Sequence, residues 1–598
     1  MNNKTLCLKI CFSGLIICLI GFACSSTSET EHYDILIKNT NIVDGTGKAA
    51  FKGGIAIKGE KIAAVGKVKG NADTEIDGSG LVTCPGFIDP HSHADMTIMR
   101  YPLAGNLVMQ GITTVLTGNC GQSPAPTRTR TLGQWLSQLE EKGIAINFAP
   151  LVGHATVRVA VMGNDFKREA TAEEIENMKT YVDEAMRSGA FGLSSFADPA
   201  PGEYASLEEF IALAKVVQKY GGLYVPHTRH IQSQMPSDDL EEYGYGIFHG
   251  PIEDVWVGTY KGYLEAIEIS RKADIPLHIA HFSNAYKIPQ PHPEFLDEAT
   301  AKATLEEVID KAKEEGIDIT LDTIPCSSSI SGPIPMIQDF LSGKNVALNW
   351  VRKIKKEEFI EKLKTKEFRG KLRKVYDSSR LKLGMIHTKE DPYWMNCFKI
   401  EKCKNKEYVG KTIGEIARMR DVDGLETIFD LLIEDPDTIW IQFLDKRLMP
   451  EGIPVILKHP LAMPCTDMRI FPAKIASDDS SPYASYGALP SPIAYGLYPH
   501  YISTYVREKG SLSLEEAVKK ATYFPAQRLG LKDRGILSPE TYADIVVFNL
   551  ETIEMSGDFL NPAQPPEGIE FVIITGKIVY KEKAHTGEKP GKVLRNRS

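Results

Sequence analysis

The sequence has no excess of positive charge, no apolar run long enough to span a membrane, no internal repeat, no low-complexity tract and few cysteines. Each absence excludes something. Lys and Arg total 69 against 78 Asp and Glu, a formal net charge of -9, so the chain lacks the basic surface that a nucleic-acid backbone demands. Its one sustained apolar run, residues 10–22, is short for a bilayer crossing. Of ten cysteines, Cys7, Cys11, Cys18 and Cys24 fall in the first 24 residues. The rest, Cys84, Cys120, Cys326, Cys397, Cys403 and Cys465, are too sparse for a disulfide scaffold. Cys397 and Cys403 lie close together in a charged stretch and could pair in an oxidising compartment.

What is present begins with a leader. Lys4 and Lys9 precede the apolar run, which ends in Gly21-Phe22-Ala23-Cys24 before a polar stretch. That order resembles a bacterial lipoprotein signal, with residues 1–24 as signal peptide and Cys24 acylated. An exported lipoprotein is then expected, in the periplasm or at the outer-membrane surface, touching the membrane only through its lipid. A plain secretory signal or an N-terminal anchor helix is the alternative reading.

From residue 81 onward, apolar strand-like runs alternate with amphipathic helices. The runs are 81–88, 112–117, 144–152, 190–195, 223–226, 276–280, 317–322 and 460–464. Thr171-Ala-Glu-Glu174, Ser206-Leu-Glu-Glu209, Thr304-Leu-Glu-Glu307 and Ser513-Leu-Glu-Glu516 read as helix-starting capping boxes. Eight alternations predict an α/β fold, a distorted (β/α)8 TIM barrel over 86–530, with an open doubly wound sheet as the alternative. The flanks, 33–85 and 531–595, alternate apolar and polar residues between Gly-rich turns, and predict a small β-sandwich built from both chain ends. Residues 330–440, rich in Lys and Glu, predict a helical insertion between strands seven and eight.

The strongest chemical motif is Asp89-Pro90-His91-Ser92-His93 at the end of the first run. Residues two apart on a strand share a face, so His91 and His93 can bind one metal together. Strand two runs into Cys120, strand five into His227, strand six into His281 and strand eight into Cys465-Thr466-Asp467. Barrel active sites occupy that face. Imidazoles, a thiol and a carboxylate gathered there predict a two-cation site.

At this point the sequence resembles the D-aminoacylase (N-acyl-D-amino-acid deacylase) family of the amidohydrolase superfamily, across nearly the whole chain after the leader. The motifs are 89–95, 117–121, "NFAPLVGHATVR" from Asn147, 189–195, "GGLYVPHTR" from Gly221, and "AYGLYPHYISTYVRE" from Ala494. The resemblance implies a metal-dependent hydrolase of small-molecule amides. It implies that His91, His93 and Asp467 hold one metal, that Cys120 sits where two metal positions meet, and that His227 and His281 complete the second. Strand three ends Leu151-Val152-Gly153-His154, without the bridging lysine of other relatives, which favours the cysteine-bridged subgroup. It further implies one tightly held zinc, a second more weakly held, and Asp467 as the group that takes a proton from a zinc-activated water and passes it to the leaving amine. His154 and Arg229 fall in family motifs, as substrate contacts or as aids to loop packing.

The chain departs from the family where the substrate carboxylate is held. Ser491-Pro492-Ile493 replaces a His-Pro-Arg segment, Ser283 stands for a lysine, and Ile324-Pro325-Cys326 replaces Tyr-Pro-Tyr. An extra stretch, 468–489, offers Arg469 or Lys474 as a replacement cation. Three functions remain open: deacylation of N-acyl-D-amino acids, hydrolysis of a cyclic amide, dipeptide or other neutral amide, and ligand binding by a non-catalytic surface lipoprotein. No motif speaks to oligomeric state.

Overall fold

At Gly86 the chain passes from one sheet to another. The run expected as a single strand over 81–88 is two: Val82–Pro85 joins a sheet made by the chain ends, and Phe87–Ser92 opens the barrel. A Cβ at Gly86 would collide with the Thr113 side chain, so glycine alone lets the backbone cross there. The computed structural model describes residues 31–197, 201–229, 258–286, 293–326, 329–333, 351, 354–378, 382–383, 386–387, 394–443, 450–472 and 490–596. The leader with Cys24, and Lys474, lie outside them.

The two ends of the chain form one nine-stranded sheet. Val82–Pro85 from the N-terminal part pairs antiparallel with Ile545–Phe548 from the C-terminal part, Cys84 opposite Val546. Ile35, Ile37, Ile55, Ile57, Ile545 and Val547 bury themselves in one apolar cluster drawn from both ends. This is the sandwich expected from the alternating flanks.

The barrel strands follow the predicted order. Phe87–Ser92, Ile112–Thr117 and Asn147–Pro150 are strands one to three, and strand three continues as Val152–Gly153. Gly192–Phe196, Leu223–His227, Leu277–Ile279, Ile319–Thr323 and Ala462–Pro464 are strands four to eight. Neighbours pair in parallel throughout. The ring is joined just beyond strand eight, where Asp467 donates its backbone N–H to His91 O at 2.9 Å and His93 donates to Met468 O at 2.8 Å. The buried Tyr498 hydroxyl lies 3.1 Å from Ile88 O and 3.2 Å from Pro464 O, tying strands one and eight from outside.

Three helix starts carry the expected caps: Thr171, Ser206 and Ser513 each accept from the backbone N–H three residues on. Thr304 does not. It lies inside a continuous helical run from Phe295 to Glu314, its hydroxyl bonded back to Thr300 O at 2.8 Å and to Asn284 at 3.1 Å. A Thr/Ser-x-x-Glu pattern caps only where the preceding residues leave the helix, and residues 295–303 are good helix formers. Thr131 with Gln134 forms a full capping box that the sequence reading had passed over.

The insertion is also a correction. Besides helices at Lys356–Leu363, Ile413–Arg420 and Gly424–Glu434, it contains an antiparallel sheet of Ser329–Pro333, Ile439–Phe443 and Phe398–Lys402. It buries its own cluster, including Phe359, Phe398, Ile416, Phe429 and Trp440. Its high Lys and Glu content reflects solvated helix faces and hid the strands. Cys397 and Cys403 are both buried there and are not joined by a disulfide. Among the described residues no helix is long and apolar enough to cross a membrane.

Candidate metal centre

Cys120, His227, His281 and Asp467 reach the C-terminal mouth of the barrel because their strands end there; His91 and His93 come from the end of strand one. Three of them occur at backbone angles that L-residues seldom adopt, with φ of 49° at Cys120, 33° at His281 and 55° at Asp467. Gly118 (φ 84°) and Gly121 (φ 67°) bracket Cys120 and let the chain double back around it. A Cβ at Gly118 would stand 2.6 Å from Leu151 O. Such backbone persists only where surrounding contacts hold it, and it gathers at functional sites.

The side chains converge on the sulfur. Cys120 Sγ lies 3.4 Å from His91 Nε2, 3.5 Å from His227 Nδ1 and 3.6 Å from His281 Nε2. Asp467 Oδ1 is 3.1 Å from His93 Nε2 and 3.4 Å from His91 Nε2. Two overlapping donor groups result, His91–His93–Cys120–Asp467 and Cys120–His227–His281, the atoms in each within 4.8 Å of one another. Cys120 belongs to both. A thiolate, neutral imidazoles and one carboxylate form the donor set that borderline-soft divalent metals prefer. His91 is fully buried, whereas Asp467 keeps 27% of its side chain exposed and faces the opening.

Burial pushes the Cys120 thiol up, but the charge on His91 and hydrogen bonds from His227, His281 and His91 outweigh it and hold the thiol well below its ordinary value. Asp467 is likewise pushed up by burial and pulled below the usual carboxylate range by its hydrogen bond to His93 and the charges of His91, His93 and His281.

Not every expected contact lies here. Arg229 spends all five donors elsewhere. Nε and Nη2 grip Glu265 at 2.8 and 3.1 Å, Nη1 reaches the carbonyls of Ala197 and Glu203, and Nη2 also reaches Ala205 O. No N–H is left for a substrate carboxylate. His154 is fully buried against Glu209, Nε2 to Oε1 2.7 Å, and stacks near Phe210. Arg469 is half-buried two residues beyond Asp467, its carbonyl accepting from Asn106.

Buried acids surround the cluster, Asp89 and Asp95 from the 89–95 motif and Asp322 from no motif. Asp89 accepts from the backbone N–H groups of His91 and Thr466 at 3.3 and 3.0 Å and from the Thr466 hydroxyl. Burial raises Asp89 to about 7. Asp95 accepts from Thr117 and Gly118 beneath His93. Asp322 on strand seven faces His91 Nδ1 at 3.5 Å. The available signal was a carboxylate inside a fully buried strand, Ile319–Thr323.

Comparison with known proteins agrees with this architecture. A family model described as "Amidohydrolase family" matches residues 74–325 and 405–580. A D-aminoacylase of Alcaligenes xylosoxydans xylosoxydans is 27% identical over 95% of this chain and 99% of its own length. An N-acyl-D-glutamate deacylase of the same organism is 26% identical over 94% and 97%. A solved D-aminoacylase structure, concerned with the binuclear metal center of that enzyme and its one-metal activation and second-metal attenuation, is 26% identical. It covers 94% of this chain and 100% of that one, with a TM-score of 0.66.

Proposed function

Because this chain belongs to the amidohydrolase family, we propose that it is a zinc-dependent amide hydrolase related in activity to the N-acyl-D-amino-acid deacylases. The carrying observation is Cys120, shared by two donor groups at the barrel mouth with Asp467 beside it on the exposed side. Zinc bound there would supply Lewis acidity, lowering the pKa of water to about 7 and polarising a carbonyl. His91, His93, Cys120, His227, His281 and Asp467 would hold it, one ion tightly and a second more weakly. Asp467 would accept the proton of the attacking water and deliver it to the leaving nitrogen.

One observation favours a second substrate class within the same chemistry. The donors of Arg229 are all engaged. Ile493 is buried, and Ser283 is buried with no partner for its hydroxyl among the described residues. A carboxylate needs a cation at that corner, while a neutral or cyclic amide does not. Arg469, or Lys474 outside the described residues, is the candidate partner for a charged substrate. Asp467→Asn should bind substrate and reduce kcat by at least ~10²-fold. Assayed on N-acyl-D-amino acids, dipeptides and cyclic amides, the unmodified enzyme should favour the uncharged ones. Full activity of the Asn variant would remove Asp467 from the chemistry, and efficient turnover of N-acetyl-D-glutamate would reverse the substrate preference.

The same proposal keeps the exported, Cys24-acylated form, on the order of Lys4, Lys9, apolar run and Cys24. The mass of the mature N-terminus tests it, an unmodified Cys24 being the contrary result.

A further inference from the structure

We propose that Asp322 is a positioning residue for both halves of the metal centre, and that His278 acts on the centre through it. This rests on the reading of His91, Cys120 and His281 as ligands. Asp322 is fully buried at the inner end of strand seven. Its Oδ1 accepts the backbone N–H of His281 at 2.6 Å. Its Oδ2 lies 3.5 Å from His91 Nδ1 and 2.8 Å from His278 Nε2. His278 Nδ1 is in turn 2.8 Å from Thr320 Oγ1. His278 and Thr320 face each other across strands six and seven.

The direction of each hydrogen follows from what the atoms can do. An ionised carboxylate only accepts, so His278 Nε2 turns an N–H toward Asp322, while His91 Nδ1, 3.5 Å away and without a hydrogen bond among the described residues, faces the same carboxylate. In a neutral His278 ring, Nδ1 is then the acceptor of the Thr320 hydroxyl. In His91, Nε2 becomes the nitrogen able to give up its proton, and Nε2 is the atom facing Cys120 and Asp467, both at 3.4 Å. The line Thr320–His278–Asp322–His91 thus selects which nitrogen of His91 is offered to a metal. The other oxygen of the same carboxylate holds the main chain of His281 at its left-handed φ of 33°. Through one side chain, the ring of a ligand in one donor group is locked to the backbone of a ligand in the other. Asp89, by contrast, reaches only main-chain groups of His91 and Thr466 and the Thr466 hydroxyl.

The test uses the full mature chain, with zinc affinity read by chelator competition, cobalt substitution read by its thiolate charge-transfer band, and melting of the metal-free protein as a control for structure. Asp322→Asn keeps shape and loses charge. It should weaken zinc by ~10–100-fold, the scale of lost outer partners of metal-bound histidines, and should alter the cobalt band. His278→Gln, which removes a group outside both donor sets, should shift affinity in the same direction by a smaller factor. A folded Asp322→Asn protein with wild-type zinc affinity and cobalt spectrum would overturn the proposal. If Asp322→Asn does not fold, unchanged affinity in His278→Gln overturns it instead. Failure of the unmodified protein to show any cobalt–thiolate band would count against the metal-centre reading itself, a distinguishable result.

Discussion

Around Cys120 and around Glu209 the same barrel buries histidine beside carboxylate, and both clusters include residues of the family motifs. Glu209 is met by His154 at 2.7 Å and by a short ion pair from Arg158. The second Nη of Arg158 goes on to the carbonyls of Arg168, Phe166 and Tyr204. A permanent cation meets a permanent anion, and the carboxylate's charge is balanced within the fold. Among the described residues, no Lys or Arg is hydrogen-bonded to Cys120. Its sulfur is surrounded by imidazoles at 3.4–3.6 Å, groups that can carry either a proton or a metal. Such protons can be exchanged for a metal ion, and metal binding to thiol and imidazole releases them. Fixed compensation marks the cluster that holds the fold, and exchangeable compensation marks the one that does chemistry.

The sharpest way to break this contrast is Cys120→Ala. Zinc content should fall to background and turnover should be lost, while the metal-free protein melts within a few degrees of wild type. Retention of full zinc and rate would place Cys120 among the structural residues. The next largest effect is expected at the other cluster. Glu209→Gln strands the buried Arg158 charge, and breaking a buried pair in this way costs about 3–5 kcal/mol. Urea unfolding should show that loss with zinc per folded molecule unchanged; a parallel loss of zinc would erase the distinction. The pH dependence is a smaller refinement. Burial pushes Glu209 up, but His154 and Arg158 hold it below its ordinary value. The stability it contributes is therefore present above the unfolded carboxylate value of about 4.3 and lost as pH falls through the lower folded one. The gap between wild type and Glu209→Gln should be flat from neutrality down to that region and close below it.

Much of the architecture was legible because it is carried by local rules. Strand two was read at 112–117 and found as Ile112–Thr117, since an all-buried β-branched run between Gly111 and Gly118 has few other uses. The convergence of His91, His93, Cys120, His227, His281 and Asp467 could be anticipated from strand ends alone, because a closed parallel barrel brings all its C-terminal ends to one mouth. What escaped depends on contacts between distant segments. Gly86 ends a strand because of Thr113, not because of its neighbours in sequence. Arg229, in the turn after strand five, is spent on Glu265, a partner on the helix Gly258–Ala273 that no motif announces. His278 lies in no motif, and only strand seven brings Asp322 beside it. The strands of the insertion were masked by a composition that favours helix.

That insertion enters and leaves the barrel through adjacent antiparallel strands, Ser329 opposite Phe443 and Pro333 opposite Ile439. A detour whose two ends are already hydrogen-bonded to each other asks little of its host. The distance between strands seven and eight is the same whether the excursion is long or short, and lengthening such a loop adds only about 0.6 kcal/mol of closure entropy per doubling. The module can be gained, lost or traded in a single event of chain evolution without altering barrel register. Since it emerges on the same face as Cys120 and Asp467, each such event redecorates the approach to an unchanged reaction chamber.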